Sequence, residues 1–132
     1  MLDNIYIRAI AGAAISLASY LFGVPDALLL ALVAMIGIDF VTGIIKAVAQ
    51  RRLSSQRMFL GGARKLGMML IVAVANVIDN VLEMGGVLRA VTISYFIANE
   101  GISLLENWSE LGLPVPKKLS RVLGMMREDG KR

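Results

Sequence analysis

The 132-residue chain has no cysteine and no histidine. That removes disulfides, thiolate nucleophiles, zinc sites of the usual ligand types and imidazole acid–base chemistry. Most familiar enzymes are excluded on this ground, and neither a cofactor nor a metal is expected. Also missing is any charge-free run of about 18 residues, the length that marks an ordinary membrane anchor. A cleaved signal peptide is disfavoured too, because no basic region precedes the first apolar run and further apolar segments follow it.

What is present is hydrophobicity: 57% of residues are apolar and the mean hydropathy is +0.70, against about 45–50% apolar in ordinary soluble domains. A lipid solvent accounts for that excess; a soluble helical bundle with a large core is the competing reading. The net charge is +4, but the cations cluster at the ends of apolar runs rather than along an aromatic-bearing surface. Anionic lipid headgroups, not nucleic acid, are the expected partner.

The stretch from Asp39 to Lys65 organises the chain. An apolar run carrying Asp39 gives way to Lys46, Arg51, Arg52, Arg57, Arg64 and Lys65, with no acid in the connector. Lys and Arg beside span ends resist translocation, so this joint reads as a cytoplasmic loop. The predicted fold is all-α: a small polytopic membrane protein with four transmembrane helices, as two helical hairpins joined by the basic loop, plus a short amphipathic C-terminal tail. The spans are about 5–24, 27–49, 66–82 and 87–107, giving a membrane domain over 1–112 and a basic cytoplasmic tail over 113–132.

In the first segment Ala9, Gly12, Ala13, Ser16 and Ser19 recur at helical spacing, a stripe that suits close helix packing or simple filling. Asp26, after Pro25, reads as the N-cap of the second segment, and the short turn predicts a tight hairpin. Asp39, Thr42, Gly43 and Lys46 fall at i, i+3, i+4 and i+7 and share a face. A charge near mid-span costs at least about 2.5–3.5 kcal/mol, so this face turns to partners or water: either an ion pair within one subunit or the lining or interface of an oligomer. Leu53, Ser54, Ser55, Gly61 and Gly62 predict a turn before the third segment, which carries Asn76 and Asp79 on one line with Lys65. The fourth segment places Arg89, Thr92, Asn99, Ser103 and Glu106 on one face, with Glu100 beside them. It crosses a bilayer only if that face is covered or wet; otherwise it lies in the interface.

With the joint inside, four spans place both termini in the cytoplasm and leave only Asp26, Glu83 and Arg89 near the outer turns. Gly112, Pro114 and Pro116 end the fourth helix. The tail, with Lys117, Lys118 and Arg121 among Leu119, Val122, Leu123 and Met126, reads as an amphipathic helix on the inner leaflet or as a solvated tail. Helices with one polar or small face each favour self-association into a homo-oligomer.

The ordered set Asp39, Thr42-Gly43, Lys46-Ala47, Leu53-Ser54-Ser55, Gly61 with Lys65, Asp79, Asn99-Glu100, Ser103, Glu106-Asn107 and Gly112-Leu113-Pro114 with Pro116 resembles the toxin secretion/phage lysis holin family. The resemblance covers about Ile36 to Leu119. It departs from the family pattern at Asn76, where a His is common, and at Gln56-Arg57, where a Lys often follows the serines. It implies a non-enzymatic protein of the bacterial cytoplasmic membrane that assembles into lesions and releases an endolysin or a toxin. Beside this stand a four-helix ion or drug transporter, which would also carry buried acids, and an antiholin or structural membrane subunit.

Overall fold

The computed structural model describes residues 2–129, with side chains from Asn4 to Met125; the Met126 side chain lies outside the described residues. Five helices follow one another: α1 (Leu2–Phe22), α2 (Ala27–Ala49), α3 (Ser55–Val81), α4 (Val87–Glu110) and α5 (Lys117–Asp129). Three of them, α1 to α3, are long and apolar enough to cross a membrane.

The core is small and lies midway along the bundle, where Leu29 and Leu32 of α2, Val72 of α3 and Ile93 and Phe96 of α4 meet. The central element is α4, packed against α2, α3 and α5. Asp26 pairs with Arg89 at one end, and Lys46 pairs with Glu110 at the other. Matching order along both chains makes α2 and α4 parallel neighbours.

Several boundaries and pairings depart from expectation. The turn between α2 and α3 is confined to the residues between Ala49 and Ser55, and the helix runs straight through Gly61 and Gly62. Two interior glycines cost about 1 kcal/mol each relative to alanine, whereas a break at membrane depth would strand backbone groups without water at several kcal/mol apiece. The third helix therefore begins at residue 55 rather than 66, and Arg57, Arg64 and Lys65 ride on it. The predicted α1–α2 hairpin does not form: α1 packs against α3, not α2. The cause is local. Asn76 Nδ2 donates to the Tyr20 carbonyl at 3.0 Å and Arg89 Nε to the Phe22 carbonyl at 2.8 Å, drawing the end of α1 across α3 and α4. Among the described residues of α1 only Ser19, Leu21 and Phe22 are half-buried, while Gly12 and Ser16 stay exposed.

Helix α5 folds back along α4 and buries Leu123 in a notch at Gly101. A Cβ at Gly101 would stand 2.8 Å from a Leu123 methyl and 3.3 Å from the Met35 methyl. Gly101→Leu should consequently release α5 from α4. Limited trypsin digestion in membranes would show faster cleavage at Lys117, Lys118 and Arg121; an unchanged rate would mean that the notch does not hold the tail.

Candidate functional site

Two polar clusters flank the apolar core. The first gathers where α1 gives way to α2 and α3 to α4. Asp26 adopts an extended backbone and its Oδ1 accepts from the Leu29 N–H at 2.9 Å, capping α2 as expected. Arg89 donates through Nη1 to Asp26 Oδ2 at 2.6 Å. Asp79, 2% exposed, accepts from the N–H groups of Gly86 (2.6 Å) and Arg89 (2.9 Å). A carboxylate from α3 thus satisfies the orphan amides and the positive dipole end of α4. Gly23 closes the cluster with φ +79°; a Cβ there would press on the Arg89 guanidinium at 3.0 Å and on Asn76 at 3.1 Å.

The second cluster joins α2, α3 and α4. Lys65 Nζ donates to Asp39 Oδ2 at 2.7 Å and also to Glu100 Oε2. Asn107 Nδ2 donates to Asp39 Oδ1 at 3.1 Å, and the Thr42 hydroxyl to the Asp39 carbonyl at 3.0 Å. Nearer the end of the bundle, Lys46 lies 3.4 Å from Glu110, which also accepts from Gln50. Among the described residues no buried side-chain nitrogen or oxygen lacks a partner. Both clusters are closed, internally satisfied networks.

Beside the second cluster α2 and α3 meet only lightly, leaving a cleft of about 660 Å³ floored by Asp39, Lys65 and Glu100. Gly43 and Ser103 line it, and Arg52, Arg57 and Arg64 border it. Of the remaining candidates, Asn99 is half-buried with no side-chain hydrogen bond among the described residues, and Glu106 is exposed outside both clusters. Arg51, Lys117, Lys118 and Arg121 are exposed. Lys65, grouped by sequence with the surface cations, points inward. Sequence reasoning passed over Asn107 as a site residue, although its spacing of seven from Glu100 puts the two on one helical face. It also gave no sign that Arg89 would reach Asp26.

The energetics of the second cluster are testable. Two carboxylates share one ammonium away from water, and removing one member of such a set typically costs about 3–5 kcal/mol because a buried charge is left uncompensated. Lys65→Met should destabilise the bundle by about that amount, and the triple change Asp39→Leu, Lys65→Met, Glu100→Leu should recover most of it. Unfolding in mixed micelles followed by circular dichroism distinguishes the outcomes.

In the first cluster, the Arg89 guanidinium and the Leu29 amide hold the Asp26 carboxyl below its ordinary value of 3.8. A depressed folded-state pKa contributes stability that is full above the unfolded value and lost as pH falls through the folded one. Acidification below 3.8 should loosen this end of the bundle, and Asp26→Ala should lower stability at neutral pH by about 1–2 kcal/mol and flatten that acid limb. Asp26→Asn, which keeps a cap but not the charge, should cost less. Thermal unfolding across pH measures both.

The comparisons with known proteins agree on one family. Residues 16–128 match the bacteriophage holin family. The chain is 40% identical over 111 residues to a probable holin of Bacillus phage phi105, covering 84% of this chain and 82% of that one. It is 44% identical over 101 residues to an uncharacterized protein, YqxH, of Bacillus subtilis, covering 76% and 71%. It is also 40% identical over 110 residues to an uncharacterized 14.9 kDa protein of Clostridium perfringens, covering 82% and 83%. No solved structure matches. With the family match running through four helices and the phage relative aligned over most of both chains, this protein belongs to the bacteriophage holin family.

Proposed function

We propose that the protein accumulates in the host's cytoplasmic membrane as closed bundles and then associates into homo-oligomeric lesions that let an endolysin, or a toxin, leave the cell. The observation that carries this reading is the contrast within one chain. Every described buried polar side chain of α2, α3 and α4 is satisfied internally, while α1 is pinned only at its last turn and leaves Gly12 and Ser16 open. A closed bundle is harmless in lipid; an uncovered small-residue face offers a second copy a close approach.

In this reading α4 is a fourth span. Its 24 residues are about 36 Å long, and groups of α2 and α3 partner its buried Glu100 and Asn107. Four crossings put the basic joint and both termini in the cytoplasm, with residues 1–112 as the membrane domain and 113–132 as its basic tail. The segregation of Arg51, Arg52, Lys117 and Lys118 to the end opposite Asp26 and Glu83 supports that orientation. As density rises, the faces around Asp39 and Glu100 exchange internal partners for neighbouring copies, and mass action makes the change abrupt. The role is non-enzymatic. The relative from phage phi105, a probable holin, supports it.

Induction in a bacterium with and without a co-expressed cytoplasmic endolysin tests the proposal by turbidity. Optical density should collapse only when both are present. Proton-coupled uptake of a small substrate without permeabilisation would sink it in favour of a transporter, and absence of killing on solo expression in favour of an antiholin. Gly12→Leu should shorten the crosslinking ladder, and an unaltered ladder would take α1 out of the assembly.

A further inference from the structure

The cleft between α2 and α3 has a use that the closed ion network on its floor does not supply. Its α3 wall is one helical face: residues 54, 57, 58, 61, 64, 65 and 68 follow the i, i+3, i+4 pattern. The lining carries five cations and three acids, yet Lys65 is engaged by Asp39 and Glu100, and Lys46 by Glu110. The ion pairs among the described residues involve none of Arg52, Arg57 and Arg64. Two ammonium groups meet the three acids, and with the three guanidinium-bearing side chains outside those pairs at its border the lining keeps a net positive charge.

Two further features narrow the ligand. The Ser54 side chain lines the cleft without capping α3, whose first turn holds no acid, so the start of that helix beside the cleft brings no negative charge to it. Both walls also carry apolar side chains, Phe40 and Ile44 on α2 and Met58 and Met68 on α3. Exposed Ile45, Val48, Phe59 and Leu60 continue that character outside it. A volume of about 660 Å³ falls within the range of small-molecule sites, about 300–1,000 Å³. Arginines suit a phosphodiester by charge and by forked geometry, and apolar side chains opening onto a lipid-facing surface suit acyl chains rather than a water-soluble ester.

We infer that this cleft binds one acidic diacyl phospholipid, its phosphodiester held by Arg52, Arg57 and Arg64 and its chains laid against Phe40, Ile44 and Met58. The bound lipid wedges α2 from α3 at the end of the bundle that carries the basic joint. The inference rests on the reading of the bundle as membrane-embedded.

The test uses the full-length protein purified in mild detergent with equimolar phosphatidylglycerol and phosphatidylcholine, and counts retained lipid by native mass spectrometry. Phosphatidylglycerol should be retained at least about tenfold over phosphatidylcholine, and the exposed pair Arg57→Gln, Arg64→Gln should reduce its retention by about tenfold. The charge-matched pair Arg51→Asn, Arg121→Gln, outside the cleft, should leave retention within about twofold. Equal loss in the two variants would reduce the effect to diffuse surface charge, and equal retention of phosphatidylcholine would remove the anion selectivity. Displacement by millimolar glycerol 3-phosphate would make a soluble ester the occupant. Each of these overturns the site. Because no endolysin enters this readout, lipid selectivity without cell lysis would sink the release function alone, and lysis without lipid selectivity would sink the lipid site alone.

Discussion

A single ammonium, that of Lys65, ties three helices together. It arrives from α3 and meets a carboxylate from α2 and another from α4, with the Asn107 amide taking the second oxygen of Asp39. None of these charges is tolerable alone in an oily interior, where each costs at least about 2.5–3.5 kcal/mol, so the three segments are bound to one register. A slide of α3 by one helical turn, about 5.4 Å, would break both contacts together. Apolar packing alone could not impose this, because Leu29, Leu32, Val72, Ile93 and Phe96 are faces that can slip past one another with little change in buried area. Buried ionic groups are best attested in that role of fixing register rather than of adding net stability.

The cluster at the other end makes the arrangement complete. Arg89 and Asp79 do for the turns what Lys65 does for the helix bodies. They take up the Phe22 carbonyl at the end of α1, the cap of α2 and the first amides of α4. The apolar core is held between two polar clamps along α4. From Arg89 to Glu100 is eleven residues, about 16 Å of helix, and Ile93, Phe96 and Ala98 in that interval are buried. Such a helix reads poorly as a span by hydropathy and yet is the best sheltered element of the fold.

That difference shows what was legible in the sequence. The bounds of α2 and the cap at Asp26 could be read because both follow from local chemistry: a proline, an aspartate and an apolar run of suitable length. Asp39, Thr42 and Lys46 could be placed on one face because periodicity reports faces, whereas in α4 the sequence favours the line through Asn99, Ser103 and Glu106 and the line that meets Asp39 and Lys65 is that of Glu100 and Asn107. Periodicity is silent about which face meets which. The inward turn of Lys65, the reach of Arg89 to Asp26 and the leaning of α1 onto α3 are long-range events with no local signature. The two glycines of α3 misled for a related reason. Their turn-forming tendency is a preference in water, and the backbone of α3 answers to a different solvent.

The attachment of α1 has a further consequence. Apart from Phe22, which reaches the core, and the half-buried Leu21 and Ser19, it is held through main-chain carbonyls, which every amino acid possesses. Most of its length is thereby released from any obligation to the rest of the bundle. It is a cartridge: its side chains can be tuned to bilayer thickness or to another copy, or replaced wholesale, without disturbing the machinery to which its final turn is latched.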